Sequence, residues 1–456
     1  MNSTNVPNME TEEAGITVAD LAHGRARTRF LAAFPFWWQD APPSTGPWAP
    51  PGPVADVVVI GAGFTGLAAA LVLARAGRHV VVVDAGAPGF GASTRNGGQI
   101  GSGKQKFAVK TLIAMHGERK AVELLHEGVE MLDGIENLIR EEKIDCSFTR
   151  CGRFRGAMRP LHYEAMARDM DDLKRYAGVQ SAMISRREQK REVGTELFHG
   201  GSLLPMDASL HPGKYHAGLL ARVLESGGSV HGKVAVRGIV SDRLGHNVHF
   251  DDFQIRARDV LVATNGYTKN VGAFFRKRIV PIVSAQITTG PIAPRLFDEL
   301  MPKRRVCGNT NRVFFYFRAA PNENRLIWGG RANHFARDTV AAAYAHLARD
   351  LLRTFPELGD VPVSHMWSGL IGYTFDEFPH LGQSPDGPYY AMGYCGTGVS
   401  RSTHFGRKIA LQMLGKPEGR SAFNDLAFAS HPFQALAKTA VPVVEAWYRL
   451  RDAGGF

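Results

Sequence analysis

The chain has 456 residues, 44% hydrophobic and 21% charged, with a formal net charge of +11. Those are globular proportions, with room for one large core or two to three smaller ones. Four cysteines with no Cys-x-x-Cys pair argue against a disulfide framework and against a zinc or iron–sulfur centre. Lys and Arg are scattered, which speaks for a basic surface without a dedicated nucleic-acid tract.

Residues 1–15 are polar and acidic, without the basic-then-apolar order of a secretory signal. No run of about 18 apolar residues occurs, so no membrane span is expected and the location reads as cytoplasmic. Residues 1–53 read as an arm whose first part is mobile. From Phe34 to Pro53 proline favours extended chain, and Phe36, Trp37, Trp38 and Trp48 are expected to lie on the body. A partner-binding surface is the alternative for this aromatic stretch.

Residues 54–84 carry the strongest signal. The buried run Val57-Val58-Val59-Ile60 enters a turn with Gly61, Gly63 and Gly66, and Phe64 and Thr65 open a helix. Leu67, Ala70, Leu71 and Ala74 share one face of that helix. A second buried run, Val81-Val82-Val83, ends in Asp84 and Ala85. Gly61 permits the tight turn, Gly63 admits a pyrophosphate and Gly66 lets helix and strand pack closely. The helix N-terminus offers free N–H groups to phosphate. Asp84 falls about twenty residues on, where an acid holds a ribose hydroxyl.

The loop 85–105 is glycine-rich, as expected where backbone passes close to a flat or anionic ligand. Residues 108–143 predict a helix with the stripe Leu125, Val129, Leu132 and Ile139. Short strands and polar helix follow over 147–204, then a helix over 212–226 and a strand over 230–236. Residues 259–266 form another buried strand running into a glycine turn. Residues 279–290 and 312–330 alternate as antiparallel strands, with Phe314, Tyr316 and Arg318 on one face and Phe315 and Phe317 on the other. Helix is expected over 340–355, from Val399 to about Leu414, and over 441–452. The fold class is α/β, a mixed α+β arrangement of two interleaved domains. A Rossmann-like domain takes 54–145, 205–278 and 366–425. An antiparallel-sheet substrate domain takes 146–204 and 279–365, and 426–456 form a tail. Glycine segments recur at strand ends, at 61–66, 264–266 and 393–398. A nicotinamide needs one such turn, whereas FAD is held along its length, so the pattern points to FAD.

Several stretches together resemble the D-amino-acid-oxidase-like superfamily of FAD enzymes, which includes glycine oxidase and sarcosine oxidase. They are ADVVVIGAGFTGL, GFGASTRNGGQIGSG, the turn at 263–266, YFR at 316–318 and WSGLIGYTFDEFPHLG through YCGTGVSRS. The likeness runs over about 34–415 and is strongest to gamma-glutamylputrescine oxidase-like proteins. It implies that Gly61, Gly63, Gly66 and Asp84 hold the ADP half, with Phe64, Thr65 and Ala85 as further cofactor-binding residues beside them. It gives Ser93, Thr94, Arg95, Asn96, Gly97 and Gly98 the pyrophosphate and the inner flavin edge. Val234, on its strand, would serve the adenine, and Ala263, Thr264 and Gly266 the ADP portion. Gly369, Gly372 and Tyr373, with Gly396, Thr397, Gly398 and Val399, would approach the flavin pyrimidine. N–H groups at that last helix start would stabilise reduced flavin. Sarcosine oxidases tether FAD through a cysteine; Ile371 stands at the matching place, so the FAD is expected to be non-covalent.

The resemblance implies hydride transfer from a C–H beside an amine to flavin N5, giving an imine and then an aldehyde or keto acid, with H2O2 if oxygen is the acceptor. Tyr316, Arg318 and Tyr373 are the candidate catalytic residues, and Tyr394 a further one on the substrate side. Arg318 or Arg331 would pair with a substrate carboxylate. His211 is read as structural and Cys395 as packing. The oxygen-activating lysine of some oxidases has no counterpart on 281–290. The expected partners are a small amine and O2 or another acceptor. The alternatives are a dehydrogenase of N-methylated amino acids, a flavoenzyme that modifies a tRNA base, and a flavoprotein without catalysis.

Overall fold

The computed structural model describes residues 16–24, 32–46, 50–101, 105–268, 271–331, 341–431, 443–448 and 450–452. Two eight-stranded sheets organise it. The first is centred on Val54–Ile60, which pairs in parallel with Val80–Val83 on one side and Gln254–Val262 on the other. Ser229–His231 extends one edge in parallel. Tyr389–Met392 and then His380–Gln383 extend the other. The hairpin Gly238–Asp242 and Gly245–His249 hangs on Gln254–Val262. Both faces of the central strands are covered, which is why they read as unbroken valine runs. Val57, Val59, Val80, Val82 and Leu261 face the helix-covered core. Val58, Ile60, Val81, Val83 and Val260 face a second one. Helix Phe64–Arg75 packs on Gly398–Met413 and Pro212–Glu225.

The second sheet runs in the order Val363–Tyr373, Val280–Thr289, Leu326–Arg331, Phe315–Ala319, Val306–Asn309, Arg153–Gly156, Gly201–Leu204, Ala182–Ile184. It is mainly antiparallel; Val306–Asn309 runs parallel to Arg153–Gly156. Phe154, Cys307, Phe317, Trp328, Ile287 and Met366 come from its successive strands into one core, which Ala345–Thr354 also enters. The opposite face looks toward the first sheet. Val363–Tyr373 carries this sheet on to Tyr373, past the boundary expected at 366. The helix expected over 108–143 is two, Val109–His116 and Glu118–Glu141, broken at Gly117 with φ 79°. The strand expected over 230–236 stops at His231.

Within the arm, Phe36 and Trp37 are buried in a 3-10 turn, Phe36–Trp38, where extended chain was expected. The Trp37 indole donates to Asn96 O at 2.8 Å and the Trp38 indole to Thr94 Oγ1 at 2.8 Å. Burial of two large rings outweighs the bias of the flanking prolines. Trp48 and the first residues of the arm lie outside the described residues. No described helix is long and apolar enough to cross a membrane.

Candidate active site

A cavity of about 680 Å³ lies between the two sheets and joins the glycine turn of the first to the inner face of the second. Its first end is built by backbone. Gly61 has φ 108°, and a Cβ there would lie 2.9 Å from Ala263 O. A Cβ on Gly66 would lie 1.9 Å from Gly61 O, so helix Phe64–Arg75 can approach the strand only over glycine. The N-cap of that helix, Gly63, has no side chain to bond the first turn, which leaves the N–H groups of Thr65 and Gly66 toward the cavity. Ser93 Oγ accepts from Phe64 N–H at 2.9 Å. Asp84 sits at the end of Val80–Val83, and its carboxylate accepts from Ala62 N–H at 2.8 Å and Gly86 N–H at 2.9 Å. Burial raises its pKa above the ordinary value although those donors oppose the shift. His216 Nε2–H donates to Ala62 O at 2.7 Å, and burial lowers its pKa to about 4. Val234 lies in the loop after Ser229–His231, not on the strand; its N–H is bonded to Asp84 O at 2.8 Å.

The middle of the wall is the loop carrying Ala92–Arg95. Arg95 is structural through its side chain: Nε–H donates to Phe90 O at 2.8 Å and an Nη to Ser368 O at 2.9 Å. Its guanidinium stands 4.6 Å from the Trp38 ring centroid and 4.5 Å from that of Phe90. Its carbonyl accepts from Gln286 Nε2 at 2.6 Å and from the Trp367 indole at 3.0 Å. The loop is thus stapled to the second sheet and to the arm.

At the far end, Gly396, Thr397, Gly398 and Val399 line the cavity at the start of Gly398–Met413, opposite Gly369, Leu370 and Ile371. Arg401, in the first turn of that helix, donates to Gln105 Oε1 at 2.7 Å; burial lowers its pKa to about 10, so it stays cationic at neutral pH. A cation beside a helix N-terminus is unfavourable for the empty protein and suits an anionic ligand. Beyond, Tyr316 lies 3.4 Å from Ser284 Oγ, with its phenol pKa raised by burial. Arg331 lies 3.3 Å from Tyr373 Oη and 3.3 Å from Glu445 of the C-terminal segment. Lys106 stands 4.5 Å from the Tyr373 ring and pairs with Glu377.

Most of the expected cofactor residues line this one cavity: Gly61, Gly63, Phe64, Thr65, Asp84, Ala85, Ser93, Arg95, Asn96, Gly97, Val234, Ala263, Thr264, Gly369 and the 396–399 turn. Gly66, Thr94, Gly98, Gly266 and Gly372 stand behind its wall. Thr94 Oγ1 bonds Gly89 O, a Cβ on Gly98 would sit 2.2 Å from Leu210 O, and Gly266 and Gly372 allow each other's close approach. Arg318 is the larger correction. It shares the face of Tyr316, yet its guanidinium donates to Gly98 O at 3.0 Å, Leu210 O at 2.8 Å and Ala319 O at 2.9 Å, outside the cavity lining. It braces the loop by tying Gly98 O, which also accepts from Leu210 N–H at 2.9 Å, to Leu210 O. The Tyr394 hydroxyl donates to Ala391 O at 3.1 Å and meets Thr65 Oγ1 at 2.7 Å. His211 Nδ1 accepts from Lys214 N–H at 3.1 Å and caps Pro212–Glu225. The Cys395 thiol donates to Gly393 O at 3.2 Å, and burial pushes its pKa up. Gln286, Ser284, Lys106 and Arg401 escaped the sequence reading; the start of the last helix was a signal available for Arg401, whereas the register that brings Gln286 to Tyr316 exists only in the folded sheet.

A long dinucleotide fits these walls. Unbonded N–H groups meet the turn at one end, a helix N-terminus with Arg401 closes the other, and the buried Gln286 Oε1 between them has no partner among the described residues. Residues 56–412 match the model of the family DAO, FAD-dependent oxidoreductase. The chain is 31% identical over 406 residues to gamma-glutamylputrescine oxidoreductase of Escherichia coli K12, covering 88% of this chain and 93% of that one. It is 30% identical to a probable oxidoreductase of Haemophilus influenzae, covering 82% and 86%. In fold it is similar to the crystal structure of glycine oxidase from Geobacillus kaustophilus, with TM-score 0.71, 20% identity, and 84% and 99% of the two chains covered. The family match across most of the chain, with a glycine-walled cavity to receive the cofactor, places this protein in the DAO family of FAD-dependent oxidoreductases, enzymes of amines and amino acids.

Proposed function

We propose that the protein oxidises the C–N bond of an extended amine, with FAD bound non-covalently and dioxygen as the final acceptor. The observation that carries this reading is the single cavity that runs from the Gly61 turn, past Gly97 and Gln286, to Tyr316, Tyr373 and Arg331. When bound, FAD supplies a hydride acceptor for the carbon beside the amine nitrogen. The protein's residues do the rest. The Gly61–Gly66 turn and Asp84 anchor the nucleotide half. The start of Gly398–Met413 and Arg401 favour the negative charge that follows reduction. Tyr316, Tyr373 and Arg331 orient the substrate, and Lys106 with Glu377 lines the same end. Burial holds the Tyr316 phenol above its ordinary range, so it is no base at neutral pH; the amine enters in its neutral form and catalysis rests on placement. The substrate loses a hydride and a proton to become an imine. Water converts that to a carbonyl compound and an amine or ammonia, and dioxygen takes the two electrons with two protons to give hydrogen peroxide.

Anaerobic titration of the holoprotein with polyamines, N-acyl diamines, N-methyl amino acids and D-amino acids tests this. Bleaching of the flavin's visible band is expected with extended amines; no bleaching by any amine overturns the reading. Oxygen uptake matched by peroxide supports the oxidase form, while turnover only with a dye acceptor points to the dehydrogenase. Yellow flavin retained in an acid-precipitated pellet would refute non-covalent binding.

A further inference from the structure

Arg155 is an arginine in search of an anion. It sits on Arg153–Gly156 and lines the cavity. Its sole hydrogen bond among the described residues is from Nε–H to Asn309 O at 3.3 Å, and no described carboxylate pairs with it. Its neighbour Arg153 differs: it is paired with Asp207 at 2.6 Å and bonded to Gln99 Oε1 at 3.0 Å. Asp169, the acid that acts on Arg155 from a distance, accepts from Val109 N–H at 3.2 Å instead. Removing a guanidinium from bulk water without a counter-charge is costly. The cost is recovered when a ligand brings the anion.

Strand register says where that anion would stand. Arg155 pairs with Gly308, Gly308 with Tyr316, Tyr316 with Gly329, and Gly329 with Gln286. Directly paired residues share a face, so these five form one row across the cavity side of the sheet. On the other side of Arg155 the row continues through Ser202 to Met183 on the edge strand. The two glycines shape the row into a groove. A Cβ on Gly329 would lie 2.4 Å from the Tyr316 ring, so the ring lies over that position. A Cβ on Gly308 would make only ordinary contacts, the nearest at 3.4 Å, so the floor between Tyr316 and Arg155 is low without being crowded. The strand of Arg155 is two strand spacings from that of Tyr316, about 10 Å. Met131, Met170 and Leu204 add apolar lining suited to a methylene chain.

We infer that Arg155 is the far anchor of the substrate groove, binding a carboxylate carried about 10 Å along an extended amine from the bond that is oxidised. This rests on the amine-oxidoreductase reading and sharpens it: the substrate is a long amino compound with a remote acid group, not a glycine-sized amino acid. Arg331, paired with Glu445 beside Tyr373, lies nearer the reacting end and leaves the remote acid to Arg155.

The test uses holoenzyme, Arg155→Met and Arg155→Lys. The kinetic probe is N-glutaryl-1,4-diaminobutane against its methyl ester, which has the same length and no charge. The expected result is a KM for the acid raised at least tenfold in Arg155→Met, a change below threefold for the ester, and partial recovery in Arg155→Lys. The binding probe is N-butylglutaramate, which has the acid but no amine, followed by calorimetry; affinity should fall at least tenfold in Arg155→Met. Arg155→Met should also melt no lower than wild type, since a half-buried charge without a paired carboxylate is gone; a clear drop would mark a bracing role. Equal effects on acid and ester, or no binding of N-butylglutaramate to wild type, overturns the anchor. If wild type oxidises no amine yet the binding difference holds, the function reading fails and the anchor stands.

Discussion

The two walls of the cavity are built on different principles. On the nucleotide side the contacts are backbone, and side chains matter mainly by their absence: Gly61 and Gly66 sit where any Cβ would strike a carbonyl. On the proposed substrate side the wall is a sheet face, and the groups we assign to it are the side chains of Arg155, Tyr316 and Gln286, aligned by pairing between strands from distant parts of the chain. A backbone wall binds a ligand whose shape is fixed. A side-chain wall on the same scaffold can be re-lettered for another substrate without disturbing the fold.

That contrast can be broken at several points. The largest effect is expected from Gly66→Val. Its side chain would collide with Gly61 O, and overpacking of this kind costs about 3 kcal/mol or more. The purified variant should carry almost no flavin, read from its visible absorbance per mole of protein. Normal flavin content would show that the nucleotide wall tolerates side chains.

Next comes acid. His216 holds Ala62 O at the turn, and burial sets its folded pKa at about 4 against an ordinary 6.5. Above 6.5 it is neutral in both states and the bond contributes fully. Between 6.5 and 4 the unfolded chain takes up a proton that the fold refuses, and stability falls by about 3 kcal/mol by pH 4. Melting temperature should drop across that window. His216→Gln, which keeps an N–H donor, should flatten part of the slope. His211 and His365, also held at about 4 by burial, add to the slope, as do His162 and His246, which burial lowers too.

On the other wall, Arg331→Met should lower kcat/KM by about tenfold, or 1.4 kcal/mol of transition-state placement, with flavin content unchanged. Loss of flavin instead would mean that the two walls are not separable. The smallest effect belongs to the arm. Trp37→Phe removes one indole N–H from Asn96 O and should cost about 1 kcal/mol of stability, read by denaturant midpoint. No change would detach the arm from the cofactor loop.

Legibility followed the same division. The turn at 61–66, Asp84 and the late helix start could be read because each is a local pattern, in which a few consecutive residues state their own geometry. Face alternation around Tyr316 was readable for the same reason, and Phe315 and Phe317 do enter the core. The assignment of Arg318 to substrate failed because alternation gives a face and not a partner; Gly98 O and Leu210 O reach it from 220 and 108 residues away in sequence. Gly98, Gly266 and Gly372 matched the glycine-rich pattern but serve close packing of backbone segments behind the wall.

The sequence by itself therefore determined the nucleotide half of this protein, since glycine spacing and a terminal carboxylate are short-range facts of the chain. Only the tertiary structure decided the other half. Arg155, Tyr316 and Gln286 lie far apart in sequence, and nothing local says that they share one row. Register between strands is set by the packing of the whole sheet, and a slip of one residue would turn each of them to the opposite face.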